Sequence, residues 1–197
     1  MTRFLIGYSG HSYPAIESLR LNGVEFDGYC ELQEKKLNPY NLKYLGREEL
    51  VEFNPEDSIF IAIGDNQLRA RIYNSLKGNV QFFSIIDKTS VVRSELTQAG
   101  ILVNAGVIIQ PGCKIGEGTI INSGAIVEHE CTIGRFSHIA PGAVLAGNVE
   151  IGEFSLVGIN STILPGIKVG KNCVIGAGSV VTKNLIDNSI VKGNPAR

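Results

Sequence analysis

Histidine is rare in this chain, and one of its three copies stands where an imidazole could act as a base. His129 lies directly between two acidic residues, Glu128 and Glu130. Imidazole titrates near neutral pH, and a carboxylate bonded to one ring nitrogen fixes the tautomer and raises the basicity of the other nitrogen. We expect Glu130 to be that carboxylate, with Glu128 as the alternative. A solvated turn histidine without a chemical role is the competing interpretation.

The sequence around His129 repeats with a period of six. An aliphatic residue returns at every sixth position from Val103 to Val181, and the residue four positions later is mostly small. One short strand and one turn per hexad predict a prism-shaped solenoid with three hexads, or 18 residues, in each coil. Coils stack at about 4.8 Å, so residues 18 positions apart lie above one another. Many residues directly after the aliphatic are Gly or Asn, and we expect positive φ angles there.

The cysteines fit this solenoid as core residues. Cys113 and Cys131 are 18 positions apart at the small position of their hexads, and Cys173 occupies an equivalent position. No two of the four cysteines form a C-x-x-C pair, which argues against a zinc ribbon or a thioredoxin-type site. We therefore expect buried thiols that pack rather than react.

The first 84 residues lack the period of six. Apolar segments at 4–6, 24–29 and 59–63 predict strands, 12–21 and about 67–76 predict helices, and 81–86 predicts a strand that leads into the solenoid. Strands that alternate with helices indicate a small parallel sheet of Rossmann-like type. We therefore divide the chain into an α/β domain at 1–84 and an all-β domain with a C-terminal tail at 85–197.

A ligand of such a sheet binds beyond the carboxyl ends of its strands. Three groups of residues are expected at those ends: Ser9, Gly10 and His11; Cys30 and Glu31; Gly64, Asp65 and Asn66. The first group joins a glycine turn to a helix N-terminus, which suits a phosphate. A bare glycine turn is often only structural, so this prediction depends on its context.

Composition argues against several classes of function. The net charge of −1 disfavours a general nucleic-acid binder, and no apolar stretch approaches the roughly 18 residues of a membrane span. The N-terminus becomes glycine-rich too early for a signal peptide. We expect a cytoplasmic protein.

Taken together, these motifs resemble a known family. The uninterrupted hexads and the end of the chain, residues 193–197, resemble the left-handed parallel β-helix of the hexapeptide-repeat acyltransferases. With the G-x-S-G-H motif at 7–11 and the Ala-Ile-Gly-Asp-Asn motif at 62–66, the whole chain resembles the sugar O- and N-acetyltransferases of bacterial surface-glycan pathways. That family includes the bacillosamine, perosamine and viosamine enzymes and a sialic-acid-pathway branch.

The resemblance implies an acetyl-CoA-dependent N-acetyltransferase without a metal. The N-terminal domain would hold a nucleotide-linked amino sugar, such as a UDP-4-amino-6-deoxysugar, and the protein would be a homotrimer with acetyl-CoA at each subunit interface. The sequence departs from the family at Tyr8, which replaces a small residue and could narrow the phosphate cleft. It departs again at Cys30-Glu31-Leu32, where the bacillosamine enzymes carry paired acids.

The resemblance also assigns roles to the histidines. His129 matches the family's base, His138 the contact to the acetyl-CoA thioester region, and His11 the nucleotide-sugar loop. The spacing of 18 then stacks residues along two edges of the prism. One edge carries His129, Gly147 and Pro165, and a second carries Pro141, Ile159 and Ala177. Gly147 lacks a side chain, so its N–H can approach a thioester carbonyl closely.

Three other functions compete with this interpretation. A γ-type carbonic anhydrase shares the solenoid but needs three histidines on zinc, and only two histidines lie in this solenoid. A structural or ice-binding rod would not need the nucleotide-type domain. O-acetylation of a sialic-acid-type or other sugar hydroxyl is the closest alternative.

Overall fold

A computed structural model describes residues 2–197 and begins with a parallel sheet. Its strands are β1 (Arg3–Ile6), β2 (Gly28–Cys30), β3 (Lys43–Gly46), β4 (Ser58–Ile61) and β5 (Gln81–Phe82). Their order is β3-β2-β1-β4-β5, and all pairings are parallel. The helices are α1 (Tyr13–Leu21), α2 (Asn66–Leu76) and a short 3-10 helix (Glu48–Leu50). The Rossmann-like α/β arrangement expected from the sequence is confirmed.

Several predicted boundaries were wrong in this region. The strand expected at 24–29 begins only at Gly28, because the Asp27 N–H already bonds to the carbonyl of Arg3, the first residue of β1. Residues before Asp27 therefore have no neighbouring strand to pair with. Strand β3 was not predicted, since its exposed Lys43 and a register shift against β2 break a regular apolar pattern.

The expected strand at 81–86 is in fact two strands in different sheets. Strand β5 pairs with β4, whereas β6 (Ile85–Ile86) pairs with a strand of the solenoid, β8 (Leu102–Val103). The chain thus passes from one architecture to the other within two residues, at Phe83 and Ser84.

The rest of the chain is a left-handed parallel β-helix of two-residue strands. Its first three strands are β6, β7 (Val91–Val92) and β8. The later strands, in chain order, are β9 (Ile108–Ile109), β10 (Lys114–Ile115), β11 (Ile120–Ile121), β12 (Ile126–Val127), β13 (Thr132–Ile133), β14 (His138–Ile139), β15 (Val144–Leu145), β16 (Glu150–Ile151), β17 (Leu156–Val157), β18 (Thr162–Ile163), β19 (Lys168–Val169), β20 (Val174–Ile175), β21 (Val180–Val181) and β22 (Ile190–Val191). They form one sheet of seven strands, one of six and one of four. Every pairing joins residues of adjacent coils, and no long loop interrupts the hexads.

The aliphatic and small columns fill the solenoid, as the period of six predicts. All fourteen aliphatic positions from Val103 to Val181 are buried, and so are Cys113, Cys131 and Cys173, whose thiols are free. Three buried serines of the small column, Ser137, Ser155 and Ser161, donate to a backbone carbonyl of the next coil at 2.8 Å, and a fourth, Ser179, accepts from the Gly193 N–H. Their hydroxyls are therefore satisfied inside the core.

The predicted turn geometry was wrong in one respect. Positive φ angles occur three positions after the aliphatic residue, as at Gly142 and Glu130, and not directly after it. The glycines directly after it have a different cause. A Cβ on Gly134 would collide with the backbone nitrogen of Glu153 in the next coil. These glycines therefore allow close stacking of coils rather than an unusual backbone angle.

The N-terminal domain covers only part of the seven-stranded sheet. Leu102 and Ile120 point outward from that sheet and are buried in a cluster with Tyr8, Tyr29 and Phe60. The outward residues of the later coils are not covered by this cluster, so the sheet stays open above it. No helix among residues 2–197 has the length and apolar character needed to cross a bilayer.

Candidate functional site

A groove opens where the N-terminal domain ends on the seven-stranded sheet. Its volume is about 730 Å³. It contains seven of the residues that the sequence assigned to ligand binding: Gly64, Asp65, Asn66, His138, Pro141, Ile159 and Ala177. The loop before α2 forms one wall and the edge with Ile159 forms the other. The structure therefore brings part of the expected substrate site beside part of the expected acetyl-CoA site.

The floor of the groove is a track of stacked side chains. His138 pairs with Leu156, Leu156 with Val174, and Val174 with Ile190, each on the next coil. Ile190 lies beyond the groove, is 79% exposed and ends the track at the C-terminal end of the solenoid. A long, narrow and partly apolar ligand would fit such a track.

His138 is held as a neutral imidazole at the inner end of this track. Asn104 donates to Asn122 Oδ1 at 2.8 Å, which leaves the Asn122 amide nitrogen, 3.1 Å from His138 Nε2, as the donor to that ring. Burial lowers the pKa of His138 to about 4, and the charges of Arg69 and His11 act in the same direction. The ring is thus uncharged near neutral pH. Because Nε2 accepts from Asn122, Nδ1 carries the proton and can only donate a hydrogen bond.

His11 lies beside His138, with 5.8 Å between ring centroids. Its ring covers Gly64, where an added Cβ would be 3.6 Å from His11 Cε1. Burial lowers the pKa of His11, and Arg69 lowers it further. Its Nε2 atom is buried and has no hydrogen-bond partner among residues 2–197. His11 therefore packs against Gly64 and His138, which line the groove, although His11 itself does not line it.

His129 and Glu130 form the expected pair at another edge of the prism. His129 Nδ1 is 3.0 Å from Glu130 Oε2, and the two side chains are 60% and 70% exposed. Glu128 makes no hydrogen bond to the imidazole within the described part of the chain. Glu130 adopts a φ of 62°, which is unusual for a residue other than glycine or asparagine. Of the two acids, Glu130 makes the contact.

Gly147 lies directly next to the His129 ring in the following coil. A Cβ on Gly147 would be 2.5 Å from His129 Cε1 and 2.6 Å from Nε2. The Asn148 N–H bonds to the His129 carbonyl at 2.8 Å, and the Gly166 N–H to the Gly147 carbonyl at 3.0 Å. These bonds stack the edge as the spacing of 18 predicted. The imidazole can take this position only because Gly147 lacks a side chain.

The two edges lie on opposite sides of the six-stranded sheet. After β14 the chain turns at Pro141, crosses that sheet as β15 and turns again at Gly147. His129 and Pro165 are on the edge that also carries Gly147, and they are not part of the groove. Within one chain, the candidate base and the groove are therefore separated by a full face of the prism.

The remaining predicted substrate residues lie at the ends of β1 and β2. Gly10 is exposed, and an added Cβ would meet nothing within 4 Å. Ser9 is exposed too, although its N–H bonds to Ser12 Oγ at 3.1 Å. Glu31 accepts a hydrogen bond from the Tyr8 N–H at 3.2 Å and forms an ion pair with Lys35 at 3.3 Å. None of Ser9, Gly10 and Glu31 lines the groove.

Tyr8 does not project into this turn. Its ring is buried 4.3 Å from the Tyr29 ring, between centroids, and its hydroxyl donates to Asn38 Oδ1 at 2.7 Å. The expectation that Tyr8 could narrow the phosphate cleft was therefore wrong, because the side chain turns into the core.

The sequence interpretation overlooked two polar residues of the site. Arg69 is buried on α2 and bonds to both domains, and Asn122 contacts His138. Asn122 could have been found, since Asn104 and Asn122 are 18 positions apart and next to the aliphatic column. Arg69 follows Asn66 by three positions on the same helix face, but its solenoid partners depend on how the domains dock. Among residues 2–197 no group of three or more His, Cys, Asp or Glu side chains is arranged to hold a metal.

Comparison with known proteins supports the fold described above, an α/β region followed by a hexapeptide-repeat solenoid. The PglD N-terminal domain matches residues 4–76, and the bacterial transferase hexapeptide model (six repeats) matches residues 112–147 and 148–183. Among the curated proteins none matches this chain.

Solved structures resemble the chain over its full length. PerB from Caulobacter crescentus, in complex with CoA and GDP-perosamine, is 30% identical with a TM-score of 0.92, covering 100% of this chain and 96% of its own. A mutant of perosamine N-acetyltransferase from the same organism, with the same two ligands, is 29% identical with a TM-score of 0.94 and the same coverage. The acetyltransferase domain of PglB from Neisseria gonorrhoeae, in complex with acetyl coenzyme A, is 28% identical with a TM-score of 0.93, covering 100% and 98%. The chain therefore belongs to the hexapeptide-repeat sugar acetyltransferases.

Proposed function

We propose that this protein transfers an acetyl group from acetyl-CoA to the amine of a nucleotide-linked amino sugar. The observation that carries the proposal is that the His129–Glu130 pair, called the dyad below, lies at one edge of the six-stranded sheet and the groove lies at its other edge. The relatives support the substrates, because PerB binds CoA and GDP-perosamine and the PglB domain binds acetyl coenzyme A. A UDP-4-amino-6-deoxysugar in surface-glycan synthesis is our specific candidate for the acceptor.

A homotrimer would complete the site. The six-stranded sheet points a mostly apolar row outward: Ile108, Ile126, Val144, Thr162 and Val180 are half-buried, and the neighbouring Leu164 is 39% exposed. Packing three copies of this face around a threefold axis would remove that surface from water. Each His129 edge would then lie beside the Ile159 edge of the next copy, because these two edges flank the packed face.

Acetyl-CoA would lie along the track from His138 to Ile190. Three coil spacings of about 4.8 Å give this track a length of roughly 14 Å, enough for most of a pantetheine arm. The thioester would be at the His138 end, opposite the His129 edge of the neighbouring copy. The Gly147 N–H has no hydrogen-bond acceptor within residues 2–197, so it is available to stabilise the oxyanion.

The nucleotide would bind at the strand ends of the N-terminal domain. The open space over Gly10 and the start of α1 suit a diphosphate. Glu31 at the end of β2 suits a ribose hydroxyl, as acids at that position do in Rossmann-like sheets. The sugar would extend past His11 toward the groove, with Gly64, Asp65 and Asn66 around it.

The dyad would then act on the sugar amine. As the amine attacks the thioester carbonyl, His129 takes the proton that the amine loses and Glu130 stabilises the imidazolium. The tetrahedral adduct then collapses by breaking the C–S bond, and the departing CoA thiolate takes up the proton from His129. His138, whose ring is neutral near pH 7, bonds to acetyl-CoA and does not compete with His129 for the proton of the amine. We keep the cytoplasmic location as part of the proposal, since the four cysteines are free thiols, as in a reducing compartment.

Thiol release from acetyl-CoA tests the proposal directly. The acceptors are UDP-, dTDP- and GDP-linked 4-amino-6-deoxysugars, with a sialic acid as the hydroxyl acceptor. We expect turnover with at least one amine acceptor and sedimentation as a trimer at micromolar concentration. Turnover of the hydroxyl acceptor alone would replace N-acetylation by O-acetylation, and no turnover with any acceptor would refute the proposal.

A further inference from the structure

Arg69 is a buried cation at the junction of the two domains. Only 1% of the residue is exposed, and no carboxylate forms an ion pair with it among the described residues. Its guanidinium donates to the Ile63 carbonyl at 2.8 Å and to Asn66 Oδ1 at 2.8 Å, both in or next to the loop that walls the groove. It also donates to the carbonyls of Gly118 at 2.7 Å and Phe136 at 3.0 Å, both in the solenoid. One side chain therefore holds the loop and two coils together.

The same helix continues this contact over two further coils. Gly118, Phe136, Phe154 and Asn172 are 18 positions apart and form one column on the solenoid. Beyond the two bonds of Arg69, Asn66 donates to the Phe154 carbonyl at 3.1 Å, and Gln67 donates to Asn172 Oδ1 at 3.0 Å. The start of α2 is thus matched to four successive coils.

A buried arginine without an acid partner is costly. Burial lowers the pKa of Arg69 to about 9, which reflects the loss of water around the charge. Apolar residues of similar size often stabilise such sites as well or better. Stability alone is therefore a weak reason for this residue, whereas the planar fork can fix several carbonyls at once.

We propose that Arg69 is a positioning residue that fixes the loop Gly64–Asn66 in register with the acetyl-donor groove. This inference rests on the proposed function, because the loop matters only if the sugar and the thioester meet there. The residue acts through His11, His138 and the loop backbone rather than on the reacting atoms. Its fork sets the geometry, and its charge adds to burial in lowering the pKa of both histidines.

Two substitutions separate the fork from the charge. Arg69→Lys keeps a cation but cannot reach carbonyls on both domains, and Arg69→Met removes both properties at a similar length. Arg71→Met is the matched control, since Arg71 is exposed on the same helix and makes no hydrogen bond or ion pair within residues 2–197. All variants are assayed at a temperature where circular dichroism shows them folded.

For Arg69→Lys we expect KM for the sugar to rise about tenfold and kcat to fall about 10- to 100-fold, since a shift of about 1 Å can cost 10²-fold. KM for acetyl-CoA should change less than about threefold, because the Ile159 wall and the track remain. Asn66→Ala removes only the bonds to Phe154 and Ser155 and to the guanidinium of Arg69. It should therefore raise KM for the sugar and lower kcat by smaller factors, and it replaces the Arg69 variants in this test if they do not fold.

The charge is read separately by NMR titration of the three histidines. The charged or titratable groups that face His138 are Arg69 on α2 and His11 on the turn after β1, with Asp65 acting on Arg69. The pKa values of His11 and His138 should rise in Arg69→Met and stay low in Arg69→Lys. A residue that merely stabilises the fold would not produce this split.

The outcomes separate the two proposals. If the wild-type enzyme turns over no nucleotide amino sugar, the proposed function fails and this inference fails with it. If the wild-type enzyme is active but folded Arg69→Lys keeps wild-type kcat and sugar KM, only the role of Arg69 is refuted. A fall in kcat that tracks the unfolded fraction, with unchanged KM values, would likewise refute it.

Discussion

Gly147→Ala offers the sharpest test of the proposed base, because the structure sets the size of the perturbation. The new methyl group would lie 2.5 Å from His129 Cε1, whereas ordinary van der Waals contact begins at 3.4 Å. The imidazole must therefore move by about 1 Å or swing away from the edge. Gly147 has no positive φ, so alanine adds no backbone strain there.

A displacement of that size predicts a large loss of activity with little loss of stability. A misplacement of about 1 Å can cost roughly 10²-fold in rate, or about 2.7 kcal/mol of transition-state stabilisation. The His129 side chain is 60% exposed and can move without opening the core, so the melting temperature should stay within about 2 °C of wild type. The alanine keeps the N–H that we assign to the oxyanion.

The assay is a double-mutant cycle measured by thiol release under saturating acetyl-CoA. Gly147→Ala should reduce kcat about 10²-fold in the wild type and have almost no further effect in a His129→Ala background. An equal loss in both backgrounds would mean that Gly147 acts independently of the imidazole. A wild-type kcat for Gly147→Ala would contradict the placement of the base at this edge.

Three further predictions concern the base, the nucleotide and the buried histidine. His129→Ala should reduce kcat by about 10²–10⁴-fold at pH 7, and Glu130→Ala should reduce it less. Both losses should shrink at high pH, where free amine exists, and a pH–rate profile checks this. A near-wild-type kcat for His129→Ala would redirect the search to His138. Gly10→Leu should raise KM for the nucleotide sugar, while calorimetry should show unchanged acetyl-CoA binding. Scanning fluorimetry should show an unchanged melting temperature, because the added side chain meets open space. An equal loss of acetyl-CoA affinity would refute the division of the site. In the folded protein the pKa of His138 is lowered to about 4 from the ordinary 6.5, so the unfolded chain binds the proton more readily. The contribution of the neutral His138 ring to the free energy of unfolding is therefore complete above about pH 6.5 and is lost as the pH falls toward 4. Melting temperatures of the wild type and His138→Gln should therefore converge over that interval, and parallel curves would contradict the neutral state of the ring.

Much of the solenoid follows from local repetition. Because each coil pairs with a neighbour 18 residues away, the sequence alone predicts which residues stack, such as His129 above Gly147 and Pro141 with Ile159. The inward columns follow from the same count, including the burial of Cys113. Periodicity works here because the contacts that stabilise one coil are repeated in the next.

Short segments outside the repeat were harder to predict. The strand expected at 24–29 failed because its pairing depends on where β1 begins, which no local pattern states. The glycines after each aliphatic were assigned to turn angles, yet Gly134 is needed for the approach of the next coil. Both errors arise where a neighbouring segment, and not the residue's own conformational preference, decides the outcome.

The sequence by itself determined the β-helix, the Rossmann-like domain and the His129–Glu130 dyad, because each depends on residues that are close in sequence or regularly spaced. Only the tertiary structure decided how α2 docks on the column from Gly118 to Asn172, and hence that Arg69 joins the two domains. It also decided that the groove and the dyad lie on different edges of the prism. Domain docking depends on contacts between surfaces far apart in the chain, and no period or local propensity encodes their relative orientation.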